Sequence, residues 1–167
     1  YAARTKDFVT FTPPALFFSP QDPEHGVIDP YLTHDDRGTA DVADDRWVMV
    51  IKNEMAAAQG GKNLRLTFSQ NMQGPYDKRL GPPLVGAGTA IVNTMGEGPA
   101  LLKYRGLWHL YWDAPDSPYA YCLATSPDLV TWTNRSEEMS LPAEKMRHGT
   151  VLLVPETAVS ALLQRQR

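Results

Sequence analysis

The chain carries one cysteine among 167 residues, Cys122, which leaves it neither a disulfide framework nor a thiolate metal cluster. That thiol lies in an apolar stretch, Ala120 to Thr125, and reads as buried and inert. No apolar run approaches the roughly 20 residues that a helix needs to cross a bilayer, so a membrane is not an expected partner. An excess of basic charge is missing as well. Sixteen Lys and Arg stand against 19 Asp and Glu, for a net charge of −3, and the basic residues are scattered, so nucleic acid is not an expected partner either. No Gly-rich loop follows a strand and opens a helix, so nicotinamide and flavin cofactors are not implied. The chain starts at Tyr1, without Met or a signal-type apolar segment, and reads as trimmed at that end. Localisation is left open.

Fourteen Pro and twelve Gly punctuate short apolar runs in a chain that is 43% hydrophobic. Such a pattern predicts an all-β fold with a core of its own. Four Trp, seven Tyr and five Phe could stack on sugars, but they are equally at home in β cores.

One motif recurs three times. Val27-Ile28-Asp29-Pro30-Tyr31-Leu32, Gly96-Glu97-Gly98-Pro99-Ala100-Leu101-Leu102 and Arg147-His148-Gly149-Thr150-Val151-Leu152-Leu153 each set a polar residue and a Gly or Pro before an apolar run. After the first two copies come a turn (Asp35 to Gly38; Tyr104 to Gly106) and a second apolar strand, Trp47 to Ile51 or Leu107 to Trp112. Asp29 and Glu97 are 68 positions apart and Glu97 and His148 are 51 apart, spacings that suit a four-stranded propeller blade with variable loops. On this register Asp29, Glu97 and His148 are equivalent, and in a closed ring of repeats they converge on the axis.

A second repeat supports the first. Tyr1 to Thr12 parallels Cys122 to Thr133, with Thr5-Lys6-Asp7-Phe8-Val9-Thr10 matching Ser126-Pro127-Asp128-Leu129-Val130-Thr131. Leu64 to Ser69, followed by Gly74 to Asp77, is a looser copy. In chain order these segments predict about two and a half blades of a β-propeller over residues 1–155. A tail over 156–167 follows, where Val159, Leu162 and Leu163 fall at helical spacing. A ring of that size has open edges, so either a homodimer or second chain completes it or the sequence is part of a longer protein.

The ordered set Ile28-Asp29-Pro30, Lys52-Asn53-Glu54, Glu97-Gly98-Pro99, Leu107 to Asp113, Ser126 to Trp132 and Arg147-His148-Gly149 resembles glycoside hydrolase family 43, the five-bladed propeller glycosidases. The likeness runs through nearly the whole chain up to Val154. It implies a glycoside or oligosaccharide substrate containing arabinose, xylose or galactose, and it fits a secreted or periplasmic parent protein. It implies three axial carboxylates: a general base, an Asp that tunes the acid, and a Glu that is the acid. By motif Asp29 matches the tuning Asp and Glu97 the acid. No residue here matches the base. His148 resembles an axial histidine that lies beside a cation or water cluster, so a divalent cation such as calcium near His148 is one reading, although the chemistry requires no cofactor.

Inversion at an anomeric carbon needs an acid to protonate the leaving oxygen and a base to activate water on the opposite face, about 6.5–9.5 Å away. Glu97 would therefore need a raised pKa, from burial and from the negative charge of Asp29. Candidate substrate contacts are Lys52, Glu54, Trp108, Asp113, Arg147 and His148. Four of them have a plainer alternative: a strand-end turn for Lys52 and Glu54, core packing for Trp108, a hydrogen-bonded core histidine for His148. His25, His34 and His109 show no ligand spacing, and Asp35, Asp36, Asp41, Asp44 and Asp45 read as a solvated hairpin rather than a calcium loop. Two other functions compete with a glycosidase: a carbohydrate-binding propeller without its base, and an unrelated β-sandwich binding module.

Overall fold

A computed structural model describes residues 1–22, 26–116, 120–142 and 146–164, so His25 lies outside the described residues. The chain forms two four-stranded antiparallel sheets, each a simple meander. The first runs β1 (Val27–Asp35), β2 (Arg46–Asn53), β3 (Asn63–Ser69), β4 (Val85–Gly86). The second runs β5 (Glu97–Tyr104), β6 (Leu107–Ala114), β7 (Ala120–Ser126), β8 (Thr133–Asn134). Helix α1, Glu156–Gln164, lies within the expected tail, with Val159, Leu162 and Leu163 all exposed.

Local chemistry explains these elements. β5 and β6 are joined by the two residues Arg105 and Gly106, both at positive φ (50° and 79°), the backbone that matches the twist of a tight hairpin. β1 and β2 are joined by the acidic segment, whose carboxylates close its own turns: Gly38 N–H donates to Asp36 Oδ1 (3.0 Å) and Thr39 Oγ1 to Asp44 Oδ1 (2.8 Å). Asp35 also closes the turn, accepting from Arg37 N–H (3.0 Å), but unlike the others it is buried and held by Arg46 Nε at 3.0 Å. Lys103, at the far end of β5 from Glu97, reaches Asp36 (2.7 Å) and Asp35 (3.3 Å), tying the second sheet to the first.

The sheets pack on one another through a shared core. Val48, Val50, Leu64 and Leu66 come from the first, and Leu101, Trp108, Leu110, Trp112, Cys122 and Ala124 from the second. Alternate residues of β2, Met49 and Ile51, point the other way and are covered by Phe17, Phe18, Tyr76 and Leu80. β2 is therefore buried on both faces, which is why it reads as a continuous apolar run. Removing each of these side chains from water contributes about 1.5–3 kcal/mol.

The second repeat is reproduced in atomic detail. Asp7 Oδ1 accepts from the N–H groups of Val9 (2.9 Å) and Thr10 (2.8 Å), and Asp128 Oδ1 from those of Val130 (2.8 Å) and Thr131 (2.7 Å). Phe8 and Leu129 adopt the same left-handed backbone, φ 56° and 64°. In the looser copy Asn71 N–H donates to Ser69 Oγ (3.0 Å) and Gln73 N–H to Asn71 Oδ1 (3.0 Å).

Two expectations need correction. Residues 147–155 form no strand; Leu152 and Leu153 are 73% and 60% exposed, with no neighbouring strand among the described residues to take up their backbone groups. Residues 1–15 make only isolated bridges, Ala2 with Ala15 and Thr5 with Phe11, rather than an outer pair of strands. The described chain thus holds two complete sheets, not two and a half, and two sheets packed face to face do not close a ring.

Candidate functional site

The two sheets bring their first strands side by side, and the site lies where these strands begin. β1 and β5 each carry an irregularity at the same place. Pairing with the following strand slips between Ile28 and Tyr31 in β1 and between Glu97 and Ala100 in β5. The slips contain residues at positive φ: Asp29 (51°) and Gly98 (55°). A third residue in the same conformation is His148 (54°). Such bulges turn a strand and redirect its side chains.

This geometry corrects the register read from sequence. Asp29, Gly98 and His148 are the equivalent residues, and Glu97 stands one position earlier, level with Ile28 and Arg147. Strand pairing agrees: Ile28 opposes Lys52, and Glu97 opposes Asp113. Pro after Asp29 and after Gly98 suggested a common anchor, but the anchor is one residue after the ionisable Glu97.

Despite that slip, the two motifs do meet, through backbone rather than carboxylate to carboxylate. Asp29 Oδ2 accepts a hydrogen bond from Gly98 N–H at 3.2 Å, across from one sheet to the other and one residue from Glu97. A Cβ at Gly98 would stand 3.0 Å from His148 Nδ1 and 3.2 Å from Asp113 Oδ2, so glycine lets these groups close in. A shallow hollow of about 180 Å³ opens between Asp29, Gly98, His148 and Thr150.

Glu97 is held by two cations. Lys52 Nζ donates to its Oε2 at 2.7 Å, and Arg147 pairs with its Oε1. Lys52, with a side chain only 4% exposed, is itself anchored 2.5 Å from Glu54 Oε1, and Lys62 Nζ sits 3.0 Å from Glu54 Oε2. Burial pushes the Glu97 carboxyl up, but the Lys52 hydrogen bond and the charges of Lys52, Arg147 and His148 outweigh it and leave the pKa below the ordinary glutamate value. The raised pKa expected of Glu97 is therefore not the resting condition of this site. Burial likewise pushes Lys52 down, and its two glutamate partners reverse this, leaving it raised.

Asp113 is fully buried, and both its oxygens accept from His148 N–H at 2.9 Å. His148 Nδ1 lies 3.2 Å away and Arg147 Nε 3.7 Å away. Burial raises the Asp113 pKa, helped by the charge of Glu97, against the hydrogen bond and positive charges of His148 and Arg147.

Of the expected contacts, Lys52, Glu54, Asp113, Arg147 and His148 gather around Asp29 and Glu97. Trp108 does not: it is 2% exposed in the shared core, with Lys103 Nζ 5.4 Å above its ring. Its place on β6 is level with Ser126, at the other end of the strand from Asp113. A residue the sequence did not single out is Tyr121, opposite Asp113 in β7, whose buried hydroxyl has no hydrogen-bond partner among the described residues. Burial first, then Asp113, Tyr111 and Tyr31, push that hydroxyl up to about 12. A Cβ on Gly149 would come within 2.5 Å of it. The alternation of β7, with Cys122 and Ala124 facing the core, carried the signal for Tyr121.

Glu97, Asp113 and His148 offer ligand atoms within 4.8 Å of one another, the one grouping of this kind among the described residues. The donor set as arranged does not suit a cation. Both Glu97 oxygens face ammonium or guanidinium, and both Asp113 oxygens take the His148 N–H. A divalent ion would have to displace Arg147 and compete with buried Lys52.

A family model described as a probable glycosyl hydrolase domain, of a group related to glycoside hydrolase family 43, matches residues 1–159. No curated protein matches the chain.

Proposed function

Since the chain belongs to this family of probable glycosyl hydrolase domains, we propose that the Asp29–Glu97 site is the acid-bearing part of an inverting glycosidase acting on arabinose-, xylose- or galactose-containing glycans. The single observation that carries this reading is the Gly98 N–H to Asp29 Oδ2 bond, which joins two carboxylate motifs 68 residues apart across two sheets. Glu97 delivers its proton to the glycosidic oxygen as the bond to the anomeric carbon breaks, and that oxygen leaves as a hydroxyl. Asp29, fixed beside it, supplies negative charge that favours the protonated form of Glu97 and offers an acceptor to a sugar hydroxyl. A water attacks from the far face and surrenders its proton to a general base. That base is not assigned to a residue of this chain. The two meanders serve as neighbouring blades of a five-bladed propeller, completed by further residues of a longer protein, a second copy or another chain.

Glu97→Gln tests the reading. It should abolish release of nitrophenol from a panel of nitrophenyl pentosides and galactosides while sugar binding, followed by calorimetry, persists. Turnover that survives the substitution would remove Glu97 from the chemistry. The carbohydrate-binding alternative is favoured by the resting ion pairs of Glu97, which suit a residue that holds charge rather than one that donates a proton. It wins if the unmodified chain binds these sugars and cleaves none of them.

A further inference from the structure

The two oxygens of Glu97 are held in different ways. Oε2 is bound by Lys52, which is buried and pinned from behind by Glu54, so it has no route to water. Oε1 is covered by Arg147, whose side chain is 48% exposed and rises from a segment without strand pairing. Among the described residues Arg147 makes one further ion-pair approach, the long 3.7 Å one to Asp113. Letting go of Glu97 therefore costs Arg147 less than it would cost Lys52, because its half-exposed guanidinium moves into solvent while the Lys52 ammonium is enclosed. Lys52 has no such exit.

We propose that Arg147 is a gate on the acid oxygen: it occupies Glu97 Oε1 in the free protein and is displaced by the leaving-group oxygen of the substrate, while Lys52 is the positioning residue that keeps Oε2 in place throughout. Oε1 is thus the oxygen that carries the proton to be delivered, and Oε2 never takes part in transfer. This rests on the reading of Glu97 as the acid. It also reconciles that reading with the resting electrostatics. With Arg147 on Oε1 its charge adds to the larger effect of Lys52 in keeping the carboxyl ionised. With Arg147 gone and a neutral sugar in its place, one positive neighbour is lost, water is excluded, and burial favours the protonated form. The groups facing Glu97 are Lys52, Arg147, His148 and Asp113, with Asp29 one residue away and Glu54 behind Lys52. Among them Arg147 combines direct contact with Glu97 and ready access to solvent.

The test compares two pH profiles on a nitrophenyl pentoside that the unmodified protein cleaves. The alkaline limb of kcat/KM reports the acid in the free enzyme and that of kcat the acid in the complex. In the unmodified protein the limb of kcat should lie at higher pH than that of kcat/KM. In Arg147→Ala the kcat/KM limb should move up until the two coincide. Lys52→Arg should preserve the separation, and Lys52→Met should lower kcat more than it raises KM, because the acid is then poorly aimed. Coincident limbs in the unmodified protein, or a separation unchanged in Arg147→Ala, would overturn the gate. An activity-independent readout is the carbon-13 shift of the Glu97 carboxyl in the full chain. Its titration should move to higher pH in Arg147→Ala, and no movement would also overturn the proposal. Glu97→Gln keeps the failures apart: if it retains turnover the acid assignment falls, whereas a dead Glu97→Gln with an unsplit profile removes only the gate.

Discussion

Replacing Lys52 by Met removes one ammonium and leaves two carboxylates facing each other across the space it filled. The methylene stem is retained in shape, so the change is almost purely one of charge. Removing one partner of a buried ion pair costs about 3–5 kcal/mol, because the remaining charge is stranded. Here the stranding is incomplete. Glu97 and Glu54 have side chains 12% and 25% exposed, and each keeps a second cation, Arg147 and Lys62 respectively. The cost should therefore fall near the lower bound, about 3 kcal/mol. With a urea slope of about 2 kcal/mol per M, the unfolding midpoint at pH 7 drops by about 1.5 M. Tryptophan fluorescence reads it directly, since Trp108 and Trp112 lie in the core between the sheets. The pH dependence has a definite sign. Both glutamates are held below their ordinary value in the folded protein, so their contribution is present above that value and is lost as pH falls through the folded ones. The difference between Lys52→Met and the unmodified protein should hence narrow as pH is lowered from 7 towards 3. Adding Glu54→Gln to Lys52→Met should recover part of the loss at pH 7. A midpoint shift under about 0.3 M at pH 7, on the same slope, or a difference that persists unchanged on acidification, would refute the charge assignment.

Other consequences are separable from that one. Asp29→Asn keeps a side chain that tolerates positive φ and an oxygen for Gly98 N–H, so the urea midpoint should hardly move while turnover falls; Asp29→Ala should lose about 1 kcal/mol as well, read from the same titration. Gly149→Ala should lower the thermal midpoint, by about 1–3 kcal/mol in stability, because its Cβ would meet the Tyr121 hydroxyl at 2.5 Å; Tyr121→Phe in the same chain should restore only part of it, because the ring carbon Cζ would still stand 2.8 Å away. Leu110→Ala, fully buried between the sheets, should cost about 3 kcal/mol by urea titration without altering the pH profile of whatever turnover remains.

How much of this was legible in the sequence depended on whether a feature is local. The Thr5-to-Thr10 and Ser126-to-Thr131 turns were recognisable because a Ser or Thr, an Asp two residues on, and the backbone N–H groups after it form a closed set of partners within six residues. The strands of β2 and β6 were recognisable for the same reason, from the short apolar runs Trp47 to Ile51 and Leu107 to Trp112. What eluded the sequence is what depends on register between segments. Glu97 aligned with Asp29 by chemical type, yet backbone conformation aligns Asp29 with Gly98, and a glycine carries no side-chain chemistry to advertise its place. Trp108 and Asp113 lie on one strand and differ in which end reaches the site, which only pairing with β5 decides. Arg147 to Leu153 matched the pattern of an inner strand, but a strand is a property of two backbones, and pattern alone supplies one.

The corrected register exposes a rule by which the site is assembled: each repeat reaches forward to the head of the next. Asp29 accepts from Gly98, the residue at its own position one repeat later. Lys52 and Asp113 occupy the same place in their sheets, each opposite the residue before the bulge, and each contacts the following head: Lys52 binds Glu97, Asp113 approaches Arg147 and takes the His148 N–H. The charges alternate along this path, from Lys52 to Glu97 to Arg147 to Asp113. An alternating row has a property that a single pair lacks, since reversing any one member strands its neighbours on both sides. Interchanging the charges of the equivalent pair, Lys52→Asp with Asp113→Lys, preserves net charge and composition but sets a carboxylate against Glu97 and an ammonium against Arg147. Such a chain should fail to hold the two sheet ends together even though every strand and the shared core are unchanged. Loss of protection from hydrogen exchange should be confined to Gly98 and His148, with the amides of Val50 and Leu110 remaining protected. Uniform loss across both groups would mean that the charged row supports the whole fold rather than the site alone.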